Sequence, residues 1–250
     1  MTVTAVQAHR GSPDPAGGIG ENTLDAFLRA LRLGADGVEL DVRRTADGAL
    51  AVHHDADIVG LGPIGGVTAD RLPPSVALLP AVLDACEDLV VNIEIKNLPG
   101  EPEFDPGERV ARDVAELVAN RNRVGRAGRV VVSSFWPGAL DAVHQARSEI
   151  PTGLLVASWF DPSACVRAAL DHGCTAVHPH ASLITGALVT GAHAAGLAVA
   201  AWTVNDPSQV EAMMALGVDT VITDDVTMAL AARDRAPDGQ PATGPEHRGP

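Results

Sequence analysis

Positive charge is scarce in this chain: 18 basic side chains face 32 acidic ones, for a formal net charge of −14. That deficit excludes nucleic acid and anionic membrane surfaces as expected partners. An anionic substrate would need a bound cation or a few deliberately placed basic residues. Only one lysine, Lys96, occurs; every other basic residue apart from the histidines is arginine. Cysteine is also sparse. Cys86, Cys165 and Cys174 show neither metal-ligand spacing nor a disulfide framework, and read as small buried thiols. The N-terminus has no basic region followed by an apolar stretch, which argues against a signal peptide. No apolar run is long enough to cross a bilayer, so no stable membrane association is expected and a cytoplasmic location is the default.

What is present is a core-forming composition, 46% hydrophobic over 250 residues. That length suits one large core and is usual for a (β/α)8 barrel. The chain is organised around Val38–Asp55. Val38, Leu40 and Val42 alternate with Glu39 and Asp41, so two carboxylates share one strand face. Asp47-Gly48 signals a hairpin, and the returning run ends in His53-His54-Asp55. Acids on one strand with an imidazole brought back beside them are a layout for metal-assisted or acid–base chemistry.

Elsewhere the pattern alternates strand and helix. Strand one ends in His9-Arg10-Gly11, and Asn22 is placed to cap a helix carrying Leu24, Phe27, Leu28 and Leu31. Asp57–Leu79 reads as a Gly- and Pro-rich loop with at most one helical turn. Further strands are expected at 89–95, 129–134, 152–156, 174–178, 197–202 and 218–223, nearly all followed by helices, including one spanning 105–120. Residues from 236 onward read as a disordered tail, leaving 1–235 as one domain. Such alternation implies a parallel sheet, and eight units in this length favour a closed α/β TIM-type barrel. A doubly wound open sheet is the second choice, but His-Arg-Gly stands where its glycine fingerprint belongs.

Barrel chemistry sits at the C-terminal strand ends. These carry His9 and Arg10; Glu39 and Asp41; Glu94 and Lys96; Ser133 and Ser134; His178; Trp202; and Thr223 and Asp224. Three converging carboxylates repel by about 4 kcal/mol per pair at an effective dielectric near 20. Protons, a cation, or pairing with Arg10 and Lys96 must compensate. All-oxygen ligands suit Mg²⁺ or Ca²⁺ better than Zn²⁺. Lys96 is either a point charge for a phosphate or the structural partner of Glu94. His53 points to the opposite face from His54, and His144, His172 and His193 read as surface residues on helices. Ser133 lacks the glycine pattern of a nucleophile elbow.

These elements together resemble the glycerophosphodiester phosphodiesterase family. The matching segments are His9-Arg10-Gly11, Glu21-Asn22-Thr23, Gly37–Val42 with Thr45–Gly48, His54-Asp55, Glu94-Ile95-Lys96, Ser133-Ser134-Phe135, Trp202–Asn205, and Gly217–Asp219 with Ile222–Asp224. The resemblance implies a TIM-type barrel with a divalent metal, Mg²⁺ or Ca²⁺. It implies Glu39, Asp41 and Glu94 as ligands, and Glu21 as a further ligand or just behind them. It implies His9 and His54 as the acid–base pair, Arg10 and Lys96 on the phosphate, and Trp202 against the glycerol or leaving group. The implied reaction is hydrolysis of a small-molecule glycerophosphodiester to glycerol 3-phosphate and an alcohol. The departures are Gly20 before Glu21, where the family usually has proline, and a short insertion after His54-Asp55. Phospholipase D-like cleavage of a lipid phosphodiester, a Schiff-base lyase built on Lys96, and a silent phosphate-ester-binding barrel are the competing readings.

Overall fold

The computed structural model describes residues 3–101, 103–123 and 129–235. The expected tail from 236 lies outside the described residues. Eight parallel strands run in the order β1 (Ala5–Ala8), β2 (Gly37–Arg44), β6 (Val90–Ile95), β7 (Arg129–Ser134), β8 (Thr152–Val156), β9 (Ala176–Pro179), β10 (Ala198–Ala201) and β11 (Thr220–Thr223). Pairing of β1 with both β2 and β11 closes them into a barrel. Helices α1 (Leu24–Leu33), α2 (Leu79–Ala85), α3 (Arg109–Arg123), α4 (Pro137–Ala146), α5 (Pro162–Asp171), α6 (Gly186–Ala194), α7 (Pro207–Ala215) and α8 (Val226–Arg235) complete the units. The TIM-type barrel expected from the alternation is the fold.

The apolar residues of β2, Val38, Leu40 and Val42, join the main core with helix residues such as Phe27, Val82 and Val114. The other face of the strands therefore fills the barrel interior, and it is polar: Gln7, Glu39, Asp41, Asn92, Glu94, Ser133 and His178 are all buried. Register places Asp41 beside Glu94, and Glu94 beside Ser133. Two acids on adjacent strands are thus level by strand pairing alone.

Gly153 on β8 makes room for His178. A Cβ at that position would lie 2.3 Å from His178 Nε2. Gly153→Ala should therefore destabilise the protein by about 1–3 kcal/mol, the usual cost of overpacking, measured by urea unfolding. His178 itself carries a second expectation. Burial pushes its pKa from 6.5 down to about 4. The unfolded chain then takes up the proton first, so this group's contribution falls as pH drops below 6.5 and levels off below about 4. The difference in stability between wild type and His178→Gln should shrink by about 3 kcal/mol across that window. An invariant difference would contradict the buried neutral imidazole.

Three local expectations are corrected. Asn22 is not the cap of α1: Thr23 accepts the Ala26 N–H, and Asn22 has φ 56° with its side chain turned inward. Helix α3 starts at Arg109, not 105, because the Asp105 carboxylate accepts the N–H groups of Gly107 and Arg109 and Glu108 has φ 52°. The segment after His54 is no featureless loop. After β3 (Leu50–Val52), the short pair β4 (Asp57–Ile58) and β5 (Gly62–Pro63) leads into 3₁₀ turns at Ile64–Gly66 and Ala69–Arg71. Ala51, Ile58 and Ile64 form a small core there with Leu61, Leu72, Val76 and Leu78. The apolar spacing in this segment follows neither a helical nor a strand period, so periodicity alone misses it.

The three cysteines are buried as expected, and burial pushes the Cys86 thiol up to about 11. His193 is exposed, on Asp219. His144 and His172 are half-buried, on Thr152 and Asp141. Among the described residues, no helix is long and apolar enough to cross a membrane.

Candidate active site

The polar strand ends converge at the C-terminal mouth of the barrel. Glu39, Asp41 and Glu94, all buried, each offer one carboxylate oxygen within 4.8 Å of the others. The three are not equally compensated. Lys96 Nζ lies 3.0 Å from Asp41 Oδ1 and also contacts Glu94 Oε1. Arg10 Nε is 3.3 Å from Asp41 Oδ2, and the Asn22 amide donates to the same oxygen at 2.7 Å. Asn22 also accepts the Asp41 backbone N–H at 3.3 Å, so it clamps this residue from both ends. Burial alone would raise Asp41; Lys96, Arg10 and Asn22 reverse that and hold it below the ordinary carboxylate range.

Glu39 has no such help. Oε2 accepts the Arg10 backbone N–H at 3.0 Å, and His9 Nε2 is 3.9 Å away, but Oε1 is buried without a partner. Burial, and then the Asp41 charge, push its pKa up to about 8. Burial also raises Glu94, against the pull of Lys96. Lys96 and Arg10 cannot neutralise three acids, and the carboxylate that neither side chain pairs with, Glu39, has an unmet acceptor. The donor set, all oxygen and buried, fits a hard divalent cation.

The His9-Arg10-Gly11 turn places two groups at once. Arg10 has φ 54° and Gly11 φ 80°. A Cβ at Gly11 would lie 2.8 Å from Ala26 Cβ, so only glycine lets this turn lie against α1. The Arg10 N–H is thereby aimed at Glu39 while its guanidinium reaches Asp41 and, at 2.8 Å, Glu21. Glu21 is half-exposed on Arg10 and is not part of the acidic trio.

His9 Nδ1 is 2.6 Å from Asp224 Oδ1, and Asn205 in turn donates to Asp224 Oδ2. A carboxylate there favours the proton on Nδ1 and turns Nε2 toward Glu39. Burial would lower the His9 pKa, but Asp224 and Glu39 raise it above its ordinary value. His54 lies on the same rim: its Nδ1 is 2.8 Å from Asp55 Oδ1, and burial followed by Lys96 lowers its pKa against the pull of Asp41. His53 instead bonds the Asp55 carbonyl at 2.9 Å. Trp202 is half-buried, edge-on to Phe135 at 5.4 Å and His180 at 5.2 Å, with its indole N–H on the His178 carbonyl at 2.7 Å. These rings form an aromatic wall with Lys96 Nζ 6.0 Å from the Phe135 centroid.

Asn22, Asp224 and Asn205 take part in the site without a site role being legible in the sequence. Asn22 looked like a cap because that residue type before a helix usually is one. The hold of Asp224 on His9 spans 215 positions, which no local pattern signals.

Comparison with known proteins agrees with this geometry. The family model for the glycerophosphoryl diester phosphodiesterase family matches residues 9–228. A glycerophosphodiester phosphodiesterase of Caldanaerobacter subterraneus subsp. tengcongensis is 32% identical over 251 residues, covering 89% of this chain and 94% of that protein. One from Bacillus altitudinis is 29% identical over 93% of this chain and 99% of its own. Among solved structures, a glycerophosphodiester phosphodiesterase of Parabacteroides distasonis superposes with TM-score 0.78 at 26% identity, covering 93% and 98% of the two chains. A phosphodiesterase of Oleispira antarctica, in complex with the product sn-glycerol-3-phosphate, gives 0.77 at 25% identity, covering 93% and 97%. With a barrel whose mouth gathers the acids and histidines, and with that match over nearly its whole length, the chain belongs to the glycerophosphoryl diester phosphodiesterase family and is an enzyme of glycerophosphodiester hydrolysis.

Proposed function

We propose that this chain hydrolyses glycerophosphodiesters to sn-glycerol 3-phosphate and an alcohol, with a divalent cation, Mg²⁺ or Ca²⁺, held by Glu39, Asp41 and Glu94. The observation that supports this most is the unpartnered Oε1 of Glu39 within a buried trio of carboxylates. When bound, the cation supplies charge neutralisation at a phosphate oxygen. Arg10 and Lys96 hold the phosphate from the side of the barrel mouth, each already oriented by its carboxylate partners. One imidazole, His9 or His54, takes the proton of the attacking hydroxyl as its oxygen bonds to phosphorus. The other gives a proton to the alcohol oxygen as its bond to phosphorus breaks. Asp224 keeps the His9 ring in one orientation throughout. Trp202 and the rings around it pack against the carbon face of the glycerol.

Lys96 fits the phosphate role better than a Schiff-base one. Glu94 and Asp41 outweigh burial and hold it charged, whereas an imine-forming lysine must be neutral. The test is release of glycerol 3-phosphate from glycerophosphodiesters by the purified chain with Mg²⁺, Ca²⁺ or EDTA. Metal-dependent release is expected. Absence of release with either ion, or full activity in EDTA, would contradict the reading.

A further inference from the structure

A cavity of about 470 Å³ opens beside Lys96 on the side of the barrel mouth formed by the hairpin and its insertion. Its size falls within the roughly 300–1,000 Å³ of small-molecule pockets. We infer that this cavity receives the leaving alcohol and selects an uncharged polyol over a quaternary ammonium group. This inference rests on the hydrolase reading above and adds a substrate class to it.

Among the described residues, no aromatic side chain lines this cavity, in contrast to the wall at Trp202. Choline recognition by ring faces has no basis there. The charged lining offers a cationic headgroup no free carboxylate. Of the acids among Arg43, Arg44, Lys96, Arg109, Glu103 and Asp105, Glu103 accepts the Gly65 N–H with Arg43 3.8 Å away, and Asp105 holds Arg109 at 2.8 Å. A strong anion site is not built either, because every one of those cations already has a carboxylate: Arg43 on Glu101, Arg44 on Asp113, Arg109 on Asp105 and Lys96 on Asp41. The pairs of Arg44 and Arg109 engage the Nε–H of each, so their terminal N–H groups can meet hydroxyl oxygens. A hydroxyl-rich neutral group matches such a lining. The fixed glycerol half is small and fits the aromatic wall; the variable half takes the larger space.

The insertion supplies a clean handle. Gly66 lines the cavity, and a Cβ built there meets nothing within 4 Å. Ala46, on the exposed hairpin turn, lines it too, with its N–H on the carbonyl of Val67, the residue after Gly66. Both can be enlarged into the space without touching the acids or histidines.

The experiment measures kcat/KM of the full chain, with Mg²⁺ or Ca²⁺, on glycerophosphoinositol, glycerophosphocholine and glycerophosphomethanol, the last having too small an alcohol to use the cavity. Wild type should prefer the inositol ester over the choline ester by roughly tenfold or more. Gly66→Leu, and independently Ala46→Leu, should lower the ratio of inositol-ester to methyl-ester kcat/KM by at least about tenfold, in line with steric discrimination by a pocket. Melting curves establish that each variant is folded, and Ala46→Leu decides if Gly66→Leu is not. A choline ester used as well as or better than the inositol ester, or a ratio unmoved in the folded variants, overturns the inference while methyl-ester turnover leaves the hydrolase reading standing. No turnover of any ester overturns both.

Discussion

His9→Ala and His54→Ala should each lower kcat by roughly 10²–10⁴-fold, the usual share of a positioned proton-transfer group, with the barrel still folded by circular dichroism. The two rings reach the mouth from different segments, one directly after β1 and the other two residues past β3. Neither belongs to the apolar core, so a loss of activity would report chemistry and not collapse. Asp224→Asn gives a finer reading. An amide can still accept from His9 Nδ1 but no longer stabilises its charge, so kcat should fall by less than in His9→Ala. Activity near wild type in either alanine variant would remove that histidine from the mechanism.

Glu39→Gln should abolish metal-dependent turnover, at least about 10²-fold, and yet cost the metal-free protein nothing in stability. Loss of a needed ligand group and loss of an unfavourable buried charge are opposite in sign. Of the three acids, only Glu39 lacks a lysine or arginine side-chain partner, and burial already pushes it up to about 8. A glutamine there keeps the acceptor for the Arg10 N–H and removes the charge. Asp41→Asn and Glu94→Gln lack this clean contrast, because each would strip a carboxylate from Lys96. In EDTA, therefore, Glu39→Gln should melt at or above wild type. With Mg²⁺ or Ca²⁺ added, wild type should gain stability through ligation and the variant should not. A variant less stable than wild type in EDTA would mean that Glu39 is structural.

Sequence pattern carried the fold and most of the site, because both follow from short-range regularities. Alternation along β2 already puts Glu39 and Asp41 on one face, and strand pairing levels Asp41 with Glu94. The Asp47-Gly48 turn, with Gly48 at φ 91°, returns His54 to the same rim. What the pattern does not show is which charges meet which. Lys96 bridges Asp41 and Glu94 instead of pairing with Glu94 alone. Arg10 links Glu21 to Asp41 of the acidic trio. Asn22 serves Asp41 across 19 positions, although its neighbour Thr23 caps the helix. The Arg10 and Asn22 contacts depend on the loop after β1 meeting β2, where spacing along the chain gives no guide. The structure of the insertion is hidden from periodicity for a related reason: its apolar residues meet around Ile58 and Ile64 without a repeating period.

Whether the buried carboxylates take up a cation is read by titration calorimetry of the EDTA-treated, dialysed protein with Mg²⁺ and with Ca²⁺. The prediction is uptake of one ion per chain by at least one of the two metals, abolished in Glu39→Gln. No saturable uptake of either ion, or uptake unchanged in Glu39→Gln, would contradict it.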